Sequence, residues 1–241
     1  MPDNKSKAQL DYYDGAEGVL DYEKTGILQR GLDRAFKRKA KIIKEKLGDT
    51  RIQRVLEIGA GSGLLTFFSV NELQFDRYTA LDLSSEMLSA LSQRITRPEV
   101  EILNCDINKI DANDCVFTAV IGSDVIHHLE NPVDSFKELL RVTAPGGKIC
   151  ILETNALNPI ILRNIGVEHE VRAFLNTDTN LLKWLESAGW KNCEVIPAPS
   201  FTPAGPRCLH WFFDLVDRMS VHIPYWKKMC ALWLVYGEKP T

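Results

Sequence analysis

What the chain lacks narrows its function before any motif is considered. Its six cysteines (Cys105, Cys115, Cys150, Cys193, Cys208 and Cys230) include no CxxC pair, and several sit in apolar runs where a free thiol packs as a small hydrophobe. A reduced, metal-free, cytoplasmic protein is expected. No uninterrupted apolar stretch is long enough to span a bilayer, and the opening MPDNKSKAQLD is polar where a secretory signal or anchor would be apolar. An excess of positive charge is missing as well: 29 Lys and Arg against 32 Asp and Glu give a net charge of -3. Without a global attraction to phosphate backbones, no nucleic-acid partner is expected. There is neither an internal repeat nor a low-complexity tract, which sets aside solenoids and tails.

What is present suits one α/β domain with appendages. The 241 residues, 45% of them hydrophobic, suffice for a full core. Short apolar runs rich in β-branched residues, RVLEIG (54–59), RYTALDL (77–83), VEILNCD (100–106), CVFTAVIGSDV (115–125) and GKICILET (147–154), read as strands buried on both faces. Helix-compatible stretches lie between them. Ser84 or Ser85 can cap EMLSALSQRI, Asn131 with Pro132 opens SFKELLRV, and LLKWLESAGW is stopped by Gly189. NCEVIP and CALWLVYGE supply two last strands, while PAPSFTPAGP (197–206) reads as a loop and Pro145-Gly146-Gly147 as a helix-to-strand turn. The expected fold is a Rossmann-like, doubly wound sheet of seven strands, mostly parallel with an antiparallel last strand.

The stretch VLEIGAGSGLLT sets a glycine-rich turn directly behind the first strand. Such a turn, opening a helix, brings backbone amides against a ligand at the carboxyl end of the sheet. The pattern is GxGxG, with Leu64 where the nucleotide-binding GxGxxG would place its third glycine, and Glu57 stands two residues ahead of Gly59. A carboxylate there repels a pyrophosphate and favours a ligand carrying an ammonium or sulfonium. Asp82, nineteen residues after Gly63, ends the next strand where an acid can accept both hydroxyls of a ribose, and Asp106 closes the third strand in the same way.

Taken together and in order, Glu57-x-Gly59-x-Gly61-x-Gly63, Asp82 in LDLSSEML, Asp106 in NCDI, SDVIHHL and RVTAPGGKICILE resemble the class I S-adenosylmethionine-dependent methyltransferases, especially their small-molecule group. The resemblance covers roughly residues 50 to 195 and implies S-adenosyl-L-methionine as cofactor. It further implies that the bare backbone at Gly59, Gly61 and Gly63 lets the methionine portion lie close while Glu57 orients its charged groups or the loop itself, that Asp82 holds the ribose and Asp106 meets the adenine amino group with Leu83 and Ile107 flanking the ring, and that Ala60, Met87 and Ser123 also border the cofactor. Tyr13 resembles the aromatic N-terminal lid of some relatives. The remaining alternatives are a nicotinamide oxidoreductase and a non-catalytic adaptor that keeps the cofactor fold.

Methyl transfer from a sulfonium needs alignment and a dry pocket, with a base added when the acceptor is a hydroxyl. His128 and His127 after the fourth strand, and His169 in GVEHEVRAF, are the candidate bases. The expected organisation is an N-terminal helical lid over 1–50 and a cofactor-binding domain over 51–241, with a second lid at 155–178 and an amphipathic insertion at 197–228. That insertion carries Trp211, Phe212, Phe213 and Trp226, while RGLDRAFKRKAKIIKEK (30–46) forms a basic helix whose charges read as a solvated face. The expected acceptor is a small molecule, apolar or lipid-linked, with O-methylation favoured and peripheral membrane contact compatible. A monomer or a homodimer fits equally.

Overall fold

The alternation of apolar runs with amphipathic segments yields, in the computed structural model, seven strands and five α-helices among the described residues, which are 26–155, 158, 176–198 and 230–241, with side chains from residue 33. The strands are β1 (Ile52–Ile58), β2 (Phe75–Asp82), β3 (Val100–Asn104), β4 (Phe117–Ser123), β5 (Thr143–Thr154), β6 (Lys191–Ala198) and β7 (Leu232–Glu238). The helices are α1 (Gly26–Leu47), α2 (Leu64–Glu72), α3 (Ser85–Arg94), α4 (Pro132–Val142) and α5 (Asp178–Ser187), with a 3-10 turn at Ile126–His128. The sheet order is β3-β2-β1-β4-β5-β7-β6, parallel except that β7 runs antiparallel to both β5 and β6. This is the doubly wound architecture expected from the sequence.

The order changes direction at β1, where β2 and β3 lie on one side and β4 and β5 on the other, so the carboxyl end of β1 is the point where a crevice opens. Side-chain alternation along β1 divides the core. Val55 packs with Tyr78, Ala80 and Ile121 under Ala40 and Ile43 of α1, Leu65 of α2 and Leu91 of α3. Leu56 and Ile58 pack on the opposite face with Val120 and Ile149 under Phe136 and Leu139 of α4 and Leu181 of α5. Ser84 caps α3 by accepting the Met87 N–H at 3.2 Å, whereas Asn131 precedes α4 without a side-chain cap and Pro132 begins the helix.

Two boundaries differ from the sequence expectation. The turn expected at Pro145-Gly146-Gly147 lies inside β5, which starts at Thr143; the pairing with β4 slips between Phe117 and Ala119, and the extra residues bulge out. Gly146, at φ 72, donates its N–H to the Lys239 carbonyl, and Lys239 donates back to Gly147. The loop expected from Pro197 likewise starts later, because β6 runs through Pro197 to Ala198. β6 is an edge strand, and there a residue without an N–H forfeits no necessary ladder bond.

Candidate active site

The turn after β1 is left-handed at three glycines, with φ of 62° at Gly59, 52° at Gly61 and 82° at Gly63. Two of them also carry close packing: a Cβ on Gly59 would lie 2.7 Å from Val125 Cγ2, and one on Gly63 would lie 2.8 Å from Leu91 Cγ. Gly61 is different. No heavy atom of the described residues stands within 4 Å of the position its Cβ would take, above the carboxyl edge of the sheet. Ala60, buried at the same turn, donates its N–H to Leu81 at 3.0 Å and so ties the turn to β2.

Asp82 holds this turn. Its Oδ2 accepts the Gly61 N–H at 2.7 Å and its Oδ1 the Ser84 N–H at 2.9 Å, so one carboxylate links the turn after β1 to the start of α3. Carboxylate oxygens accept more than one donor each, and the ribose role implied by the resemblance is compatible with this bracing role. Next to it, Leu83 is exposed and Met87 and Ile107 are buried. Asp106 Oδ1 accepts both the backbone and the side-chain N–H of Asn108, at 2.8 and 2.9 Å. Asn104 donates to the carbonyls of Asp82 and Leu83, fixing the ends of β2 and β3 together.

Glu57 lies in the core beside Tyr78. It is fully buried, and its Oε2 accepts the Tyr78 hydroxyl at 2.5 Å while Oε1 has no hydrogen-bond partner among the described residues. Burial pushes its carboxyl up to about 7, although the hydroxyls of Tyr78 and Thr66 pull the other way. Its charge therefore varies across neutral pH.

Beyond β4, Glu153 organises the turn that carries the histidines. It is fully buried on β5; Oε2 accepts the N–H groups of Val125 and Ile126 at 3.1 and 2.7 Å, and Oε1 accepts the Thr154 N–H at 3.0 Å. His127 Nδ1 lies 2.6 Å from the same Oε1. A carboxylate oxygen accepts, so Nδ1 carries the proton and Nε2 presents a lone pair. The His128 ring centroid is 4.0 Å from that of His127, and burial, with His127 adding to it, pushes the His128 imidazole down to about 3. Ser123 and Asp124, at the end of β4, meet Lys39 of α1: Nζ donates to Ser123 Oγ at 2.8 Å and forms an ion pair with Asp124 Oδ2. Asp124 has φ of 54° and also accepts the Thr154 hydroxyl at 2.9 Å.

Glu57, Gly59, Ala60, Gly61, Gly63, Asp82, Leu83, Met87, Asp106, Ile107, Ser123, His127 and His128 thus all lie along or beneath one edge, the carboxyl ends of β1 to β4. Tyr13, His169, most of the lid at 155–178 and nearly all of the insertion at 197–228 lie outside the described residues. Sequence reasoning missed Lys39, Tyr78, Asp124 and Glu153. Asp124 and Glu153 do carry a signal, being acids at the carboxyl ends of apolar strands as Asp82 is.

The model of a methyltransferase domain family matches residues 56–151, the segment from β1 through the start of the β5 carboxyl half. Those residues form a methyltransferase domain, on a fold like that of the class I S-adenosylmethionine-dependent methyltransferases. The chain is similar to a demethylmenaquinone methyltransferase of Renibacterium salmoninarum, 27% identical over 193 residues that cover 69% of this chain and 77% of that one. It is also similar to a ubiquinone/menaquinone biosynthesis C-methyltransferase of Desulfotalea psychrophila, 25% identical over 53% of this chain and 51% of the relative, so it spans about half of that relative's length. Among solved structures, phosphoethanolamine N-methyltransferase 2 of Haemonchus contortus, in complex with S-adenosyl-L-methionine, shares the fold with a TM-score of 0.66. That match covers 96% of this chain and 60% of the other at 17% identity. The methyltransferase uses S-adenosyl-L-methionine, and the nicotinamide alternative falls with that cofactor. The space over Gly61, beside Asp82 and free of the described side chains, fits such a ligand. No described helix is long and apolar enough to cross a membrane.

Proposed function

We propose that the protein methylates a small, largely apolar acceptor bearing an acidic ring hydroxyl, a hydroquinone or related phenol, lipid-linked members included. The observation that carries this reading is the pairing of His127 with the buried Glu153 directly after β4. The cofactor, held by the turn at Gly59–Gly63 and by Asp82 and Asp106, supplies a methyl group on a positively charged sulfur. What the chain must add is a proton acceptor for the hydroxyl, and His127 Nε2, with its tautomer set by Glu153, is that group. His128 is the weaker base because burial holds it neutral down to about pH 3.

A deprotonated ring hydroxyl shares its charge between oxygen and the adjacent ring carbons. Methylation at oxygen, favoured from the sequence, and methylation at carbon, the outcome in the name of one relative, therefore begin with the same proton transfer. The quinone vocabulary of two relatives supports the acceptor class without deciding the atom. The test is turnover of methyl-labelled S-adenosylmethionine with a panel of hydroquinones and phenols of increasing side-chain length. Label entering a ring product supports the proposal, and nuclear magnetic resonance of that product separates O–CH3 from C–CH3. Label taken only by amines, with every phenol inert, would overturn it.

A further inference from the structure

Two arginines of the sheet stand apart from the rest. Arg54 on β1 and Arg77 on β2 are register partners, so their side chains leave the same face of the sheet side by side, a placement that like charges disfavour. Among the described residues neither guanidinium has a hydrogen-bond or ion-pair partner. The other arginines with described side chains are all engaged: Arg51 with Asp76, Arg97 with Asn71 and the Val70 carbonyl, Arg141 with Glu138 and Asp114, and Arg34, Arg38 and Arg94 with further partners. Glu99, just before β3, and Glu101 on β3 are unpaired in the same way among the described residues.

The fold leaves these four charges uncovered. Alternation along the strands puts Arg54, Arg77, Thr79 and Glu101 on the face that also carries Leu56, Leu81 and Leu103. On that face α4 packs on β5, and α5 packs on β6 and β7. The connection from β3 to β4, residues 105–116, contains no helix, and its Ile107 and Ile110 pack in the cluster of Leu81, toward the carboxyl half of the strands. The amino half stays open. There a cavity of about 260 Å³ is lined by Arg54, Arg77, Thr79, Pro98, Glu99 and Glu101, with Thr79 itself buried. Its size suits a small metabolite and not a peptide or a polynucleotide.

The charges specify the occupant. Two guanidinium forks side by side match the several oxygens and the double charge of a phosphoryl group, whereas a carboxylate would neutralise one of them. Glu99 and Glu101 line the same cavity yet have no opposite charge within ion-pair distance among the described residues, so they remain able to accept from an ammonium. They also repel a long polyanion. We infer that this cavity binds a small zwitterion, a phosphate monoester that also carries an ammonium group, with its phosphoryl oxygens on Arg54 and Arg77 and its ammonium on Glu99 and Glu101. The site lies toward the amino ends of β1 to β3, while the glycine turn, Asp82 and His127 follow carboxyl ends. The assignment therefore rests on neither the cofactor nor the acceptor proposed above.

Calorimetric titration with aminopropyl phosphate, propyl phosphate and aminopropanol tests each half of the site. The wild-type chain should bind aminopropyl phosphate with about millimolar affinity or better, propyl phosphate about tenfold more weakly, and aminopropanol not measurably. Replacing Arg54 and Arg77 together by Gln should weaken both phosphates by about tenfold or more, while affinity for S-adenosylhomocysteine stays within about twofold. Replacing Glu99 and Glu101 together by Gln should leave propyl phosphate bound and remove the preference for the aminated ligand. If the double arginine variant does not fold, Arg77→Lys carries the test: it keeps the charge, loses the fork and should lower the affinity for both phosphates. No saturable binding of aminopropyl phosphate by the folded wild-type chain, or binding unchanged in the arginine variants, would overturn the site. Equal wild-type affinity for the two phosphates would overturn the zwitterionic ligand.

Discussion

Glu57 offers a test in which burial sets the sign of the effect. The folded protein holds its carboxyl at about 7 instead of 4.5, because burial outweighs the Tyr78 and Thr66 hydroxyls, and Asp82 adds to the rise. Between those values the folded chain keeps a proton that the unfolded chain has lost. The associated stability is complete below about pH 4.5 and is lost as pH rises to about 7. At about 1.4 kcal/mol per pH unit, the loss across this window is about 3 kcal/mol. His128 works against it. Its imidazole is held at about 3 rather than 6.5, so the unfolded chain takes the proton first and stability falls as pH drops below 6.5. The two slopes oppose one another between 4.5 and 6.5, and the wild-type curve alone does not reveal either.

A difference experiment does. Glu57→Gln keeps an acceptor for the Tyr78 hydroxyl and removes the titration. Urea unfolding at pH 5, 6, 7 and 8 should give nearly equal stabilities for variant and wild type at pH 5. The variant should gain steadily to about 3 kcal/mol at pH 8, with the His128 contribution cancelling in the difference. A difference independent of pH would refute the reasoning, since a packing or hydrogen-bond change has no reason to follow the proton.

Three further outcomes follow from the site and a fourth from the aromatic content of the insertion. Asp82→Ala removes the acceptor of the Gly61 and Ser84 N–H groups, and calorimetry should show S-adenosylhomocysteine binding weakened by about 1–3 kcal/mol; an unchanged affinity in a folded variant would show that Asp82 does nothing for the ligand. Gly61→Ala, at φ 52° with open space around its Cβ, should cost about 1 kcal/mol of stability but lose cofactor affinity, whereas Gly63→Ala, whose Cβ meets Leu91 at 2.8 Å, should show mainly a lower melting temperature. Glu153→Gln should lower kcat and move the acidic limb of the rate profile with little effect on S-adenosylhomocysteine binding, as expected if it sets the His127 tautomer; proportional losses in both would make it purely structural. Replacing Phe212 and Phe213 by Ser should raise the acceptor KM at constant cofactor affinity and melting temperature, and a fall in melting temperature with unaltered kinetics would assign them to core packing.

The fold was legible because its signals are local. Strands buried on both faces leave continuous apolar runs, and Ser84, Pro132 and Gly189 mark helix ends within a few residues of where they act. The glycine turn could be located for the same reason, each φ being a property of one residue. Contacts across the sheet leave no such trace. Lys39 stands in a run of basic residues that reads as a solvated face, and only the packing of Ala40 and Ile43 against the sheet turns it inward to Asp124. Lys46 is drawn in likewise, to Glu194 and over the Tyr236 ring. Tyr78 looks like one more core aromatic until β2 sets it beside Glu57.

The same distinction explains why the acids near the crevice cannot share one role. A cationic sulfur gains from nearby negative charge, and the sequence suggests Glu57 as its source. In the structure Glu57 is enclosed with a neutral hydroxyl and its charge is costly, whereas Asp124 has an ammonium beside it that overcomes burial and holds its carboxyl down to about 2. Charge that persists at every physiological pH therefore sits at the β4 end of the crevice, next to the glycine turn, and not beneath it.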